Sequence, residues 1–126
     1  MRRILVSLLL VVLCACASEP NYQIKTLANG GQVKVIGITK MYSTNGVNKW
    51  LILDYQTKVS ISDVDALKKE ADQIWPYFKN DVEQAGMDEA LIRANSIPTG
   101  TIIKESKSYG LAYKKAADGT WSRVGG

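Results

Sequence analysis

The chain has 126 residues, with 16 Lys and Arg against 12 Asp and Glu and with no His. This length accommodates one domain with one hydrophobic core, and the lack of His removes the commonest metal ligand and the commonest general base. With Arg2 and Arg3 set aside, 14 of the 16 bases remain against 12 acids, which is far less basic than a nucleic-acid-binding domain. We therefore expect no nucleic acid among the partners.

The first residues resemble an export signal. Met1, Arg2 and Arg3 form a positive start, residues 4–13 are uncharged and mostly apolar, and residues 14–17 are small. Together these features are typical of a secretory signal peptide. The apolar run is too short for a transmembrane helix, which needs about 20 residues.

Leu13-Cys14-Ala15-Cys16 resembles the lipobox of bacterial lipoprotein precursors, in which a branched apolar residue and two small residues precede the Cys that receives lipid. The resemblance implies cleavage after Ala15 and lipid attachment to Cys16. It also implies a location in the cell envelope, at the outer membrane facing the periplasm, because position 17 is not Asp. Cleavage by an ordinary signal peptidase, at Ala15-Cys16-Ala17, is the alternative and would release a soluble protein.

The predicted organisation is a signal peptide over residues 1–15, a lipidated Cys with a short tether over 16–21, and a single domain over 22–126. Cys14 leaves with the signal peptide and Cys16 carries the lipid, so the mature domain has no free thiol. Disulfides, a Cys nucleophile and Cys-ligated zinc are therefore excluded, and we expect no cofactor or metal. The acyl chains, at about 0.8 kcal/mol per buried CH₂, would hold the domain at the membrane.

Three strands are predicted before the middle of the chain. Residues 22–27 form the first and end at a Gly-rich turn. Residues 32–42 are rich in β-branched side chains whose apolar phase switches next to Gly37, and this switch predicts a β-bulge. After a turn over residues 43–48, residues 49–61 alternate between apolar and polar side chains as a half-buried strand does.

Between residues 62 and 86 the apolar period changes from two residues to 3.6, which predicts one long amphipathic helix. Ser62 with Asp65 three positions later resembles an N-terminal capping pair, and Gly86 suits the left-handed residue after the last turn. Pro76 lies inside this pattern but away from its apolar stripe, so we expect a single helix with a proline kink rather than two helices. The stripe consists of Val64, Leu67, Ala71, Ile74, Phe78, Val82 and Ala85.

Further strands are predicted after the helix, over residues 89–96, 108–115 and 120–124. The last two form a hairpin around a turn in which Gly119 takes the left-handed conformation. The order of strands, helix and strands predicts an α+β fold. In this fold an antiparallel sheet of about five strands has the helix packed across one face.

Charge is segregated along the chain. Residues 62–89 carry eight acids and three bases, whereas residues 19–61 and 101–126 each carry five bases and two acids. Two interpretations remain open. The charges are solvated faces of the helix and the sheet, or a basic side of the sheet meets an anionic surface or an acidic partner.

Aromatic residues suggest where a binding site could lie. Tyr109, Tyr113 and Trp121 cluster in the last hairpin, and Trp50 has the opposite phase to Leu51 in its strand. A single helix covers one face of a sheet, so the other face needs either solvated residues or a partner. One hypothesis places the four aromatic side chains in a binding site on the open face; the alternative is that they fill the core or pair across strands.

The sequence contains no recognisable catalytic or metal-binding motif. Asp81, Glu83, Asp88 and Glu89 form the densest group of acids, but their spacing does not match a calcium-binding loop. We therefore expect a non-catalytic binding domain whose partner is an envelope protein or an anionic envelope component. A structural subunit that associates with itself or with an envelope complex is the second hypothesis, and a hydrolase using carboxylates alone is the third.

Replacing Cys16 by Ser removes the thiol that would receive the lipid. We expect the Cys16→Ser variant to lose acylation and to leave the membrane fraction, because the tether then carries no acyl chain. Labelling with a tagged fatty acid and membrane fractionation check this, with Ser18→Ala as the matched control. A Cys16→Ser protein that stayed acylated and membrane-bound would overturn the lipobox interpretation.

Overall fold

The computed structural model describes residues 22–42, 49–100 and 105–125. The predictions for the signal peptide, for Ala15 and Cys16 and for the turn at 43–48 lie outside these residues. The described chain forms six strands and one helix, in the order β1 Gln23–Thr26, β2 Gln32–Tyr42, β3 Lys49–Thr57, α1 Val64–Gln84, β4 Glu89–Ser96, β5 Ser108–Lys115 and β6 Trp121–Arg123.

The six strands form one sheet in which the spatial order is the same as the chain order. Neighbouring strands are antiparallel, except that β3 and β4 are parallel. The exception follows from α1, because a helical crossover returns the chain to the start of the next strand. The fold is thus α+β with a mostly antiparallel sheet of six strands and one helix, which is consistent with the expectation of about five strands and one helix; the parallel pair β3–β4 corrects the expectation of an antiparallel sheet.

The β1–β2 hairpin closes at Gly30, whose φ of +84° is a conformation that few other residues adopt. Leu27 N–H donates to Gly31 O at 2.7 Å across this turn. Further along β2, the register with β3 shifts between Val35 and Gly37, which confirms the bulge predicted there. Val35 before the shift is buried, whereas Ile36 within it is 39% exposed.

The N-cap of the helix lies one residue later than predicted. Asp63 is the N-cap residue, and its Oδ1 accepts the backbone N–H of Ala66 at 3.3 Å. Ser62, the predicted cap, instead shares a hydrogen bond of 2.8 Å with Ser60. A carboxylate at the cap also interacts favourably with the positive end of the helix dipole, so the aspartate stabilises this end in two ways.

The other end of α1 closes in a Schellman motif. Gly86 has a φ of +70°, as the sequence predicts. Its N–H donates to Glu83 O at 3.0 Å, and the N–H of Met87 donates to Val82 O at 3.1 Å. Met87 and Val82 both belong to the core, so the motif also anchors the end of the helix by burial.

Pro76 lies within α1, yet the helix is continuous from Val64 to Gln84. The chain therefore forms one helix here rather than two, as expected. The proline is exposed, which fits its predicted place away from the apolar stripe. Among the described residues, no helix is long and apolar enough to cross a bilayer.

The core lies between α1 and the sheet face that it covers. Five residues of the predicted stripe are buried in it, together with alternate residues of β3, β4 and β5. Trp75 adds an aromatic layer, because its ring stacks on Tyr113 with centroids 4.2 Å apart and meets Trp121 edge-on at 5.1 Å. The largest fully buried side chains are Tyr55, Phe78, Leu53, Leu67, Ile74, Ile92 and Val82.

Phe78 is a fully buried residue of the helical stripe. We expect Phe78→Ala to lower the free energy of unfolding by about 3–5 kcal/mol, because the substitution removes a whole ring from a packed core. Tyr42→Ala, at a side chain that is 56% exposed, should change it by less than about 0.5 kcal/mol. Urea denaturation measures both, and similar losses for the two variants would contradict the observed burial.

Candidate functional site

One face of the sheet has no helix over it. Along β3 and β4, Leu53 and Ile92 point to α1, so alternate residues point to the opposite side. We call this side the open face, and among the described elements none forms a second layer on it. Its central side chains are Trp50, Ile52, Asp54, Glu89, Leu91, Arg93 and Asn95.

An ion pair lies in the middle of the open face. Arg93 Nη2 donates to Asp54 Oδ2 at 2.9 Å, and Asn95 Nδ2 donates to Asp54 Oδ1 at 3.1 Å. Partial burial alone would raise the pKa of Asp54, but these hydrogen bonds outweigh it, so the pKa lies below its usual value. The carboxylate is thus held as an anion that links β3 to β4.

The outer edge of β2 changes character along its length. β1 pairs only with residues 32–35 of β2, so in the described structure residues 36–42 have no strand on that side. We call this segment the free edge. Its exposed apolar side chains are Ile36, Ile38, Met41 and Tyr42, with exposed fractions between 39% and 56%. The free edge adjoins the open face, because Met41 is the register partner of Trp50.

The strands around the free edge are basic. Lys25 lies on β1, Lys34 and Lys40 lie on β2, and residues 22–42 contain no acid. The Nζ of Lys34 is 5.9 Å from the centre of the Tyr22 ring, within cation–π range. This side of the sheet therefore presents a positive potential to an approaching molecule.

A small pocket opens near the beginning of β3 and β4. It has a volume of about 250 Å³ and is lined by Trp50, Glu89, Ala90, Ala112, Tyr113, Lys114 and Val124. One polar atom in each of two lining residues, Trp50 Nε1 and Glu89 Oε2, is itself buried and has no hydrogen-bond partner in the part of the chain that the structure describes. Buried polar atoms are rarely left unpaired, but a molecule in the pocket would not reach these two atoms, because they have almost no accessible surface.

A larger cleft, of about 390 Å³, lies between α1 and the first strands. Glu70 forms part of its wall and accepts hydrogen bonds from two residues of β3, Tyr55 OH at 3.0 Å and Thr57 Oγ1 at 2.6 Å. Burial, and then the charge of Glu70, raises the pKa of Tyr55 well above its usual value. The Glu70 carboxylate is thus engaged in holding α1 to β3.

A second carboxylate of α1 holds the helix to the last hairpin. Asp72 Oδ1 accepts from Tyr113 OH at 3.2 Å and from Arg123 Nη1 at 2.6 Å. Tyr113 is only 3% exposed, and burial followed by the charge of Asp72 raises its pKa above the usual value. These contacts connect α1 to both β5 and β6.

The structure separates the four aromatic side chains of the predicted binding site. Trp50 lies half-buried on the open face. Tyr109 and Tyr113 instead face α1, because they share the phase of the buried Leu111 in β5. Trp121 packs beside them at the border of the core. The expectation of one aromatic surface on the open face is therefore corrected.

The acids near the end of α1 do not act as one group. Glu83 Oε1 accepts the indole N–H of Trp121 at 3.1 Å, whereas Glu89 lies on β4 and lines the small pocket. Among the described residues, the side chains of Asp81 and Asp88 form no ion pair with the partners of Glu83 or Glu89 and share no hydrogen bond with them. In the described ranges no three metal-ligating side chains come together.

Sequence reasoning missed the free edge and the small pocket. Met41 and Tyr42, two large apolar residues directly before the predicted turn, were the available signal for the free edge. The meeting of Trp50 with Glu89 depends on the parallel pairing of β3 and β4. Local periodicity carries no information about that pairing.

We expect the ionisation of Tyr113 to lower the free energy of unfolding at alkaline pH. The pKa of Tyr113 is raised in the folded state. The stabilisation that comes with this shift is complete below a pH of about 10, the pKa of a tyrosine in the unfolded chain. Above that pH the unfolded chain loses the proton first, and the free energy of unfolding drops by about 1.4 kcal/mol per pH unit until the folded pKa is reached. We expect Tyr113→Phe to flatten this decline in urea denaturation between about pH 10 and 11. Tyr42→Phe, at an exposed ring, is the control, and equal slopes for both variants would contradict the assignment.

Comparison with protein-family models, with curated proteins and with solved structures gives no match for this chain. Its function must therefore be inferred from the geometry of the molecule itself.

Proposed function

We propose that this chain is a lipid-anchored protein of the cell envelope whose domain binds a protein partner at the free edge and the adjoining open face. One observation carries the proposal. Of the seven large hydrophobic side chains that are exposed in the described residues, four lie on the free edge. Scattered exposed apolar residues are ordinary, but four of them on one unpaired segment of a strand, with Ile38 on the face of Leu53 and Met41 on the face of Trp50, favour a site of protein contact at that edge.

A partner could bind the free edge by adding a strand to the sheet. An unpaired edge presents backbone N–H and C=O groups outwards, and an extended peptide satisfies them with its own main chain. Each such hydrogen bond contributes about 0.5–1.5 kcal/mol net. Covering Ile38 and Met41 adds about 25 cal/mol for each Å² of apolar surface removed from water. Together these contributions support a specific and reversible contact.

The charge around the free edge favours an acidic partner strand. Lys25, Lys34 and Lys40 would attract acids, whereas a second copy of the chain would bring these bases against its own. Exposed ion pairs contribute about 0.2–1 kcal/mol each, and salt weakens them. A separate partner is thus favoured over self-assembly, and a protein is favoured over an anionic polymer, which would leave the edge amides unpaired.

The proposed anchor would keep the free edge close to the membrane. Gln23 begins β1 opposite Val35, so the chain enters the sheet at the end where the free edge begins. The six steps from Cys16 to Tyr22 span at most about 20 Å. A partner held in the same membrane would lie within reach, which supports an envelope protein as the occupant.

A charge introduced into the free edge should abolish partner binding without unfolding the domain. Met41 is 52% exposed, and Met41→Glu both removes an apolar contact and repels an acidic partner. We expect recovery of the partner from cells to fall about tenfold, which corresponds to about 1.4 kcal/mol. A photo-crosslinking residue at position 39, followed by mass spectrometry, identifies the partner and measures its recovery.

Ile97→Glu is the matched control, because Ile97 is 46% exposed and lies outside the free edge. Its recovery of the partner should be unchanged. Loss of the crosslink in both variants, or in neither, would contradict binding at the free edge. Light scattering tests self-assembly: a stable oligomer that Met41→Glu dissociates would favour that hypothesis over a separate partner.

A further inference from the structure

Gly37 leaves a notch in the open face where the free edge begins. Gly37 is the register partner of Asp54, so its missing side chain would lie on the face that points away from α1. Apart from its chain neighbours, a Cβ atom placed on Gly37 would meet no described atom within 4 Å. We call the space beside Gly37 and Asp54 the Gly37 notch.

Nothing in the described residues requires glycine at this position. Glycine is needed in a strand or a β-bulge where φ is positive, and Gly37 is not among the glycines with a positive φ. Glycine is also needed where another group approaches the backbone closely, but the space here is open. Glycine inside a strand lowers stability, because it loses much conformational freedom and packs no side chain. This cost without a local reason favours a place that a side chain of another molecule fills.

A fixed guanidinium group lies next to the Gly37 notch. Arg93 of β4 is the register partner of Asp54, and its Nε and Nη2 donate to the two carboxylate oxygens of Asp54. Two parallel hydrogen bonds of this kind fix the plane of the guanidinium. The Arg93 side chain is 41% exposed, and among the described aromatic rings none lies within cation–π range of it. Such a planar cation offers a surface on which an aromatic ring can stack.

The surroundings of the notch select an aromatic side chain over other kinds. A strand added to the free edge places one side chain opposite Gly37, where no Cβ of β2 blocks its path across the strand. A carboxylate on that path would be repelled by Asp54, and an ammonium would meet a carboxylate that Arg93 already neutralises. A short aliphatic chain would fill the notch without reaching the guanidinium. An aromatic ring can cover an edge glycine and also stack on Arg93.

We infer that the Gly37 notch receives an aromatic side chain of the partner strand, which packs over Gly37 and against the guanidinium of Arg93. The inference rests on the proposed function for the presence of that strand, and on the notch and the Asp54–Arg93 pair for the chemistry. Lys40 is the register partner of the core residue Leu51, so Lys40 lies on the other face. The partner strand therefore carries its aromatic residue on one face and the acid opposite Lys40 on the other.

Filling the notch from within the chain tests the inference in cells. Gly37→Thr adds a β-branched side chain, which strands favour, so urea denaturation should show no lower midpoint than for the unaltered protein. We nevertheless expect recovery of the partner through an aliphatic diazirine residue at position 39 to fall about tenfold. A strand held by main-chain hydrogen bonds alone would tolerate Thr here. The crosslinked partner segment should contain Phe, Tyr or Trp.

Gln32→Thr is the matched control for Gly37→Thr. Gln32 is an exposed residue of the same strand, but it lies where β2 pairs with β1. The substitution therefore adds the same side chain outside the free edge. Its recovery of the partner should equal that of the unaltered protein.

Synthetic strands test the chemistry on the purified mature protein in detergent micelles. The probe is a capped peptide as long as the free edge, with Phe and Glu at the spacing of Gly37 and Lys40 and Thr elsewhere, made with Phe towards either end. Matched peptides carry Leu or Ala in place of Phe. We expect the better Phe peptide to bind at least about fivefold more tightly than either. Its ring should also shift the NMR signal of Arg93 Nε–H upfield, while Arg123, which pairs with Asp72, serves as the internal control.

Arg93→Lys separates stacking from charge. Lysine keeps the positive charge beside Asp54 but has no planar face. We expect this variant to lose most of the preference for Phe over Leu. An unchanged preference would contradict stacking on the guanidinium.

The outcomes separate this inference from the proposed function. Equal binding of the Phe, Leu and Ala peptides, a crosslinked segment without an aromatic residue, or unfolding of Gly37→Thr would overturn the inference. Full partner recovery by Gly37→Thr, together with loss by Met41→Glu, would overturn the inference and leave the proposed function standing. Full recovery by both variants would overturn both.

Discussion

The packing of α1 across the sheet is the contact on which the other features of the domain depend. The buried helical residues from Leu67 to Val82 meet β3 and β4, the two strands that α1 itself connects. Hydrophobic burial thereby holds the crossover in place and makes these two strands parallel neighbours. Two antiparallel groups of three strands, β1–β3 and β4–β6, are joined in the sheet through that one seam. Because the domain has one described helix, no described helix covers the opposite face of the seam, where Ile52 is nevertheless buried.

Polar contacts fix how the helix lies on the sheet. Apolar packing is non-directional, so it alone allows α1 to slide or rotate. Glu70 bonds to Tyr55 and Thr57 on β3, while Asp72, a half-turn further along, bonds to the last hairpin. The two carboxylates therefore hold the helix to strands on either side of β4. This arrangement gives two of the five acids of α1 a structural role.

Features that depend on a few neighbouring residues could be predicted from the sequence, and features that depend on strand pairing could not. The helical stripe, the left-handed Gly86 and the bulge at Gly37 follow from local period and backbone freedom. The direction of β4 relative to β3 is a long-range property, so the parallel pair was missed. The same limit applies to the site: whether Tyr113 faces the helix depends on its pairing with Ala90, and Trp50 is the neighbour of Glu89 only in the parallel register.

The bulge at Gly37 limits how the sheet can grow. The pairing of β1 with β2 reaches no further along β2 than Val35. The register of β2 with β3 shifts directly after that residue. A strand added beyond the bulge can therefore continue for only about six residues before β2 ends, and it cannot extend in register alongside β1. Open hydrophobic edges otherwise favour the edge-to-edge pairing of strands from many chains into fibres. The shifted register thus leaves room for one short strand and opposes the growth of an indefinite assembly.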